Sequence, residues 1–293
     1  MNRTTICCIF VSMLFLVIPA LCSTSFAATE QAVNMDVYQD DINITQEDIT
    51  QEDIDYLIEC QKISNEEIED SMSNSLKKYQ ENVFINNVRG VTSSYTAISL
   101  GTDTIFTTTD WGDDGANTSP GVGGSCDSSY NISEKRAESA SRASIGASNV
   151  WSWARVGKKF KILGSGGKAA DITTTGKYKL NYGVVGAGSS EITVNSILWD
   201  ATTGSKVSTE EIYHWSATAL PTVKTKDKSY SVTHNNIYLR AGHSYIEYLE
   251  VKTSASALGV GEGWADAMTD SNLAGYLQFS GYTKINSIKV DFN

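Results

Sequence analysis

The chain has 293 residues, with 34 Asp and Glu against 23 Lys and Arg and a formal net charge of −11. That length holds one large or two modest domains, and without a basic excess there is nothing to neutralise a phosphate backbone, which excludes nucleic acid as a partner. The imbalance is local: residues 28–90 carry 15 acidic and 4 basic side chains, whereas residues 91–293 carry 19 acidic and 18 basic.

The opening "MNRTTICCIFVSMLFLVIPALCSTSFAATE" has a basic start at Arg3, an apolar run from Ile6 to Leu21, and Ser25 and Ala27 at the −3 and −1 places of a cleavage site. This pattern predicts a signal peptide over residues 1–27, cut after Ala27, and a product that is secreted or cell-surface associated. No later segment reaches the roughly 20 apolar residues that a spanning helix needs, so no transmembrane segment is expected. Three of the five cysteines fall in the leader, leaving Cys60 and Cys126 as an even pair in an oxidising compartment and a candidate disulfide.

Residues 28–90 read as an acidic helical pro-segment or spacer. The block ITQED occurs twice from Ile44, too few copies for a repeat architecture. Thr50 stands three places before Asp53, and Ser64 three before Glu67, both at capping-box spacing. Ile54, Leu57 and Ile58 share one helical face, and Ile68, Met72 and Leu76 another, so two short helices are predicted over 50–61 and 64–82. Helices of this size are marginal alone, so their apolar faces must dock, pair or stay dynamic. Arg89, before Gly90 in a small polar setting, is the expected processing site. The competing expectation is a permanent helical cap, stapled to the body by Cys60–Cys126.

From residue 91 the composition changes to short Val, Ile, Thr, Tyr and Phe runs punctuated by Gly, Asn, Asp and Ser. Tyr178, Leu180, Tyr182 and Val184 alternate with polar residues, as do Tyr245, Leu249 and Val251, and Ile288, Val290 and Phe292. The pattern predicts a mainly β fold over 91–293, an antiparallel, jelly-roll-like β-sandwich preceded by the short acidic α-helical segment. The small-residue stretch around 142–155 reads as one strand. The similar run "TSASALGVGEGWADAM" is expected to pack face to face with it, because Ala and Ser permit close approach.

Several motifs fail on inspection. "FKILGSGGKAAD" has Ile162 where a phosphate-cradling loop needs its first Gly and Ala169 where it needs Ser or Thr, so a hairpin turn is expected instead. Glu211 and His214 stand at the spacing of a carboxylate-bridged metal motif, but no second copy exists. No local motif marks a hydrolase; a triad would have to assemble across the fold from His214, His234 or His243. The loop "TTDWGDDGANTSPG" offers Asp110, Asp113, Asp114 and Asn117 as hard oxygen donors for Ca²⁺, with turn formation as the competing use. Among six tryptophans, Trp151 and Trp153 share a strand face, and Trp111 sits in the acidic loop as the residue expected to be exposed. These three are the candidate ligand-binding platform, with core filling as the alternative. The leading expectation is a non-enzymatic extracellular binding or adhesion module whose partner is a cell-surface glycan or protein. A toxin-like effector with a cleavable acidic pro-segment is the rival, and a secreted hydrolase the weaker one.

Overall fold

Thr50 opens the first element of the computed structural model, which describes residues 49–88, 94–117, 123–144, 148–219, 221–269 and 280–293. The Thr50 N–H and hydroxyl both donate to Asp53 Oδ2, at 3.0 and 2.7 Å, and the Asp53 N–H returns to Thr50 Oγ1 at 3.2 Å. This capping box satisfies donors that the first helical turn leaves open. Helix α1 then runs unbroken over Gln51–Val88, 38 residues. The two helices expected from the sequence are therefore one. Ser64 does not cap a second start, because it is fully buried and its hydroxyl donates to Asn149 Oδ1 at 2.5 Å. The leader, the cut after Ala27 and the processing site at Arg89 lie outside the described residues.

Thirteen strands follow among the described residues: β1 (Thr96–Ser99), β2 (Thr104–Phe106), β3 (Trp111–Ala116), β4 (Gly124–Asn131), β5 (Arg136–Ser144), β6 (Ser148–Leu163), β7 (Gly167–Val185), β8 (Gly188–Asp200), β9 (Ser205–Thr218), β10 (Thr222–Arg240), β11 (Ser244–Ala257), β12 (Glu262–Asp266) and β13 (Tyr282–Phe292). The protein is mostly β, with one helix among the described residues. A six-stranded sheet has the order β1-β6-β11-β8-β9, with β3 also paired to β6; a seven-stranded sheet has the order β10-β7-β12-β5-β13-β2, with β4 paired to β5. Pairing is antiparallel throughout except for β1 with β6. All described residues belong to one compact unit.

One core joins both sheets. Phe160, Val194, Leu198, Leu249 and Val251 of the six-stranded sheet meet Ile172, Leu180, Tyr182, Ile288 and Val290 of the other. Each such side chain, fully buried, contributes about 1.5–3 kcal/mol relative to exposure. The single strand expected over 142–155 is split between β5 and β6. The two small-residue runs meet, but residues 142–155 lie beside the second run within the sheets, Ala143 next to Gly263 and Ser152 next to Thr253, and not face to face with it as expected. Ser139 and Ser141 on β5 approach Thr253 on β11 at 2.7 and 2.9 Å, and Ser139 approaches Ser152 on β6 at 2.7 Å, forming a buried hydroxyl seam.

The glycine-rich turn at 164–166 departs from the expected hairpin. It links β6 to β7, which lie in different sheets, so it is a tight crossover. Gly164 and Gly166 have φ of 122° and 79°, values that side-chain-bearing residues rarely adopt. At the far side, β9 and β10 each end a sheet. Lys224, Lys226 and Lys228 alternate along β10, in register with Tyr182, Leu180 and Tyr178 of β7.

Candidate functional site

In the six-stranded sheet, the residues that alternate with the core-facing set form a second, outer face. Along β6 these are Trp151, Trp153, Arg155 and Gly157. Register places Trp111 of β3 and Tyr248 of β11 on either side of Gly157, and Trp199 of β8 beside Ile246 of β11. With no side chain at 157 between them, the Trp111 and Tyr248 rings approach to 5.2 Å between centroids. A Cβ at Gly157 would come within 2.4 Å of the Glu247 carbonyl oxygen. Four of the six tryptophans thus share this face.

The face is covered by α1. Ile68 and Met72 form an apolar cluster with Trp151 and Trp153, while Leu76 and Tyr79 pack on the cluster of Trp111, Ile197, Trp199, Ile246 and Tyr248. Tyr79 meets Trp111 and Trp199 edge-on, each at 6.1 Å. The expectation that Trp111 is exposed is therefore corrected: it is only 5 % exposed, because Tyr79 and Tyr248 close over it. Trp151 and Trp153, expected as a ligand platform, are at 8 % and 1 %.

Polar groups of the face find their partners on α1. The Trp151 Nε1–H donates to Glu67 Oε2 at 2.6 Å and the Trp153 Nε1–H to Ser71 Oγ at 3.1 Å. Lys252 Nζ donates to Glu69 Oε1 at 2.9 Å, and Arg155 Nη1 to the Met72 carbonyl at 3.4 Å. In the other direction, Gln61 and Asn65 donate to Glu191 Oε2 at 2.7 and 3.0 Å, and the Ser75 hydroxyl donates to Asp113. Beneath them Arg155 and Glu250 form a buried ion pair, with Nε and Nη2 at 2.9 and 2.8 Å from Glu250 Oε2. Burial alone would raise the Glu250 carboxyl, but Arg155, with help from Lys252, holds it below its ordinary value. The guanidinium also lies over the Trp153 and Tyr248 rings, at 4.9 and 5.2 Å.

The expected Ca²⁺ donors do not converge. Asp110 accepts from Lys158 Nζ at 2.7 Å and the Lys159 N–H at 2.8 Å, and Asp114 accepts from Ser128 at 2.9 Å. Asp113 is taken by Ser75, and Asn117 Nδ2 donates to the Asn149 carbonyl at 3.3 Å. Strand pairing of β3 spreads these residues along the sheet. Among the described residues no group of three His, Cys, Asp or Glu side chains gathers to hold a metal. The Cys60–Cys126 staple is also absent: both thiols are free. Burial pushes both thiols up from their ordinary value. The helix is held on the sheet by packing and hydrogen bonds instead.

Each histidine faces a carboxylate: His214 Nδ1 lies 3.7 Å from Glu191, His234 Nε2 lies 3.4 Å from Glu247, and His243 Nδ1 lies 2.7 Å from Asp200. Ser196, His234 and Glu247 come together as a triad-like group, but all three are fully buried between the sheets. Ser196 donates to the same Glu247 Oε1 that His234 Nε2 faces, so the imidazole does not stand between serine and carboxylate as a relay requires. The group fills the interior as a polar network with Thr174, which also donates to Glu247 Oε1, at 2.8 Å.

The sequence reading does not single out Trp199, Tyr248 or the Arg155–Glu250 pair as site residues. Their signal is present: Ile197 and Trp199, and Ile246 and Tyr248, are apolar at positions opposite the core-facing set. Strands that are apolar on both sides belong to a sheet covered on both sides.

No protein-family model matches the chain. No curated protein matches it either. Among solved structures it is similar to the carbohydrate-binding module TmCBM61 in complex with β-1,4-galactotriose, at 9 % identity over 53 % of this chain and 83 % of that one, with a TM-score of 0.19. It is also similar to the enzymatically active domain of bacteriophage CBA120 tailspike protein 4, at 12 % identity over 56 % of this chain and 18 % of that one, with a TM-score of 0.18. TM-scores this low carry no argument about fold or function.

Proposed function

We propose that the chain is a secreted, non-enzymatic binding module with a jelly-roll-like β-sandwich body, that its outer aromatic face recognises an extracellular glycan, and that α1 is a displaceable cover over that face. One observation carries the reading: Trp111, Trp151, Trp153 and Trp199 lie on one sheet face, and α1 occludes that face along its length. Aromatic rings offer flat apolar surface to the C–H faces of sugar rings. Around them stand the Trp151 and Trp153 Nε1–H groups, Lys252, Glu191 and Asp113, donors and acceptors of the kind that hydroxyl groups use. Extracellular placement is supported by the leader pattern of residues 1–27.

The test is a glycan array probed with the full chain and with an Ile68→Asp/Met72→Asp variant that undocks α1. The variant alone is expected to bind. A variant that stays β-folded, exposes its tryptophans by fluorescence and still binds no glycan would sink the reading. A second reading, a toxin-like effector held inactive by its acidic segment, is favoured by the same occlusion together with Arg89 lying just beyond α1. Toxicity of the undocked variant toward cells, without glycan binding, would favour it.

A further inference from the structure

A cavity of about 290 Å³ opens where the β8–β9 turn meets the end of β10 and the start of β11. Thr203, Ser205 and Val207 line it from the turn and β9, and Tyr238 and Arg240 from β10. Among the described residues none of α1 lines it, so it stays open while the tryptophan face is covered. Tyr238 is 59 % exposed and Val207 39 %, which puts apolar surface in contact with solvent inside a concave site. The Tyr238 ring is seated against β7, because a Cβ at Gly167 would stand 2.5 Å from its Cε1. Gly167 does not have a positive φ, so the space the ring occupies, and not the backbone, calls for glycine there. A ring already held in place loses little freedom when a ligand stacks on it.

The polar groups are mixed. Arg240 is exposed and makes no salt bridge among the described residues. Asp200, the one carboxylate in the lining, is held by His243 Nδ1 at 2.7 Å and by the Thr202 and Thr203 N–H groups at 2.9 and 3.2 Å. One cation and one carboxylate leave the wall without net charge, so charge favours neither an anion nor a cation. The guanidinium donates, and the Thr203 and Ser205 hydroxyls, 2.7 Å apart, donate and accept. A sugar ring carries the matching set, with hydroxyls that do both and a C–H face for the aromatic ring. The volume lies at the small end of ligand sites, room for one such ring.

We infer that this cavity binds one neutral hexose ring, stacked on Tyr238 beside Val207 and hydrogen-bonded to Arg240, Thr203 and Ser205. At the efficiency of ordinary ligands, about a dozen heavy atoms give a dissociation constant of about 1 mM. Binding that weak does not survive the washes of a glycan array, which reads the covered face alone. Undocking α1 uncovers that face and leaves this cavity as it is, so failure of one site leaves the other standing.

The test is saturation-transfer-difference NMR of the full chain with the methyl glycosides of D-glucose, D-galactose and D-mannose. Saturable transfer is expected from at least one, weakened at least fivefold by Tyr238→Ala and by Arg240→Gln and unchanged in the Ile68→Asp/Met72→Asp variant. Tyr238 and Arg240 are both exposed, and Arg240→Gln leaves the Tyr238 seat intact, so it folds even if Tyr238→Ala does not. Equal binding of a disaccharide ending in the same sugar identifies a chain end as the source; loss of binding identifies a single sugar unit. No saturable transfer from any glycoside, or transfer that survives both substitutions, overturns the site. Tighter binding of D-glucuronate than of the methyl glucoside overturns the neutral ring.

Discussion

Ile68 and Met72 are the two side chains whose truncation most directly tests whether α1 is a cover or part of the cooperative core. They are 1 % and 2 % exposed, and their partners are Trp151 and Trp153. Removing a buried Ile or Met side chain to Ala costs about 2–5 kcal/mol. The two lie one helical turn apart and share partners, so their effects are not additive, and about 4–6 kcal/mol is expected for Ile68→Ala/Met72→Ala. At roughly 1.4 kcal/mol per factor of ten, that raises the undocked population about a thousandfold or more. If α1 is a separable unit, the loss falls on docking alone. Urea titration followed by tryptophan emission should then show an early red-shifted step as the face is uncovered. Far-UV circular dichroism at β wavelengths should keep the wild-type midpoint. A single transition in both probes, displaced by the full amount, would place α1 inside the core and refute the separable cover.

Other consequences are open to measurement. His234 is expected to make stability fall at alkaline pH. Burial disfavours its charge, but Glu247, facing it at 3.4 Å, and Glu210 outweigh that and raise its pKa above the ordinary 6.5. Two other titratable groups near Glu247, Tyr230 and Tyr248, are held protonated by burial. The contribution is whole below about 6.5, the unfolded value, and is lost as pH rises through the raised one; calorimetric melts from pH 5.5 to 9 should show the decline, and His234→Gln should flatten it. Gly157→Ala should cost about 1–3 kcal/mol by overpacking, since its Cβ would stand 2.4 Å from the Glu247 carbonyl oxygen; a melting temperature equal to wild type would contradict the register of β6 with β11. Cys60 and Cys126 are free, so the melting temperature should not change with reductant, and thiol titration of the unfolded chain should find both.

The sequence is legible where physics is local. The Thr50–Asp53 capping box forms as its spacing implies, and the alternation of Tyr178, Leu180 and Tyr182 puts all three in the core. The Ala- and Ser-rich runs find each other because small side chains let sheets approach. What the chain does not display locally is which surface covers which. Ser64 carries a start signal and instead donates to Asn149, 85 residues away in sequence. Asp113 reads as a metal donor and is spent on Ser75. Trp111 reads as exposed because its neighbours are acidic, yet its burial is decided by Tyr79 and Tyr248, which no local pattern brings near.

The lysines of β10 bear on how copies of this chain meet one another. That strand offers 19 residues of sheet margin, long enough to template growth by a second molecule. Two copies pairing antiparallel about Lys226 would set Lys226 against Lys226 and each Lys224 against a Lys228. Like charges directly opposite across such a pair, with Cβ atoms about 4.5–5.5 Å apart, repel. Joining two β10 margins is thereby penalised, most strongly at low ionic strength, and the penalty fades as salt screens it. The spacing of three cations along one strand thus disfavours growth of a β-rich chain through this margin.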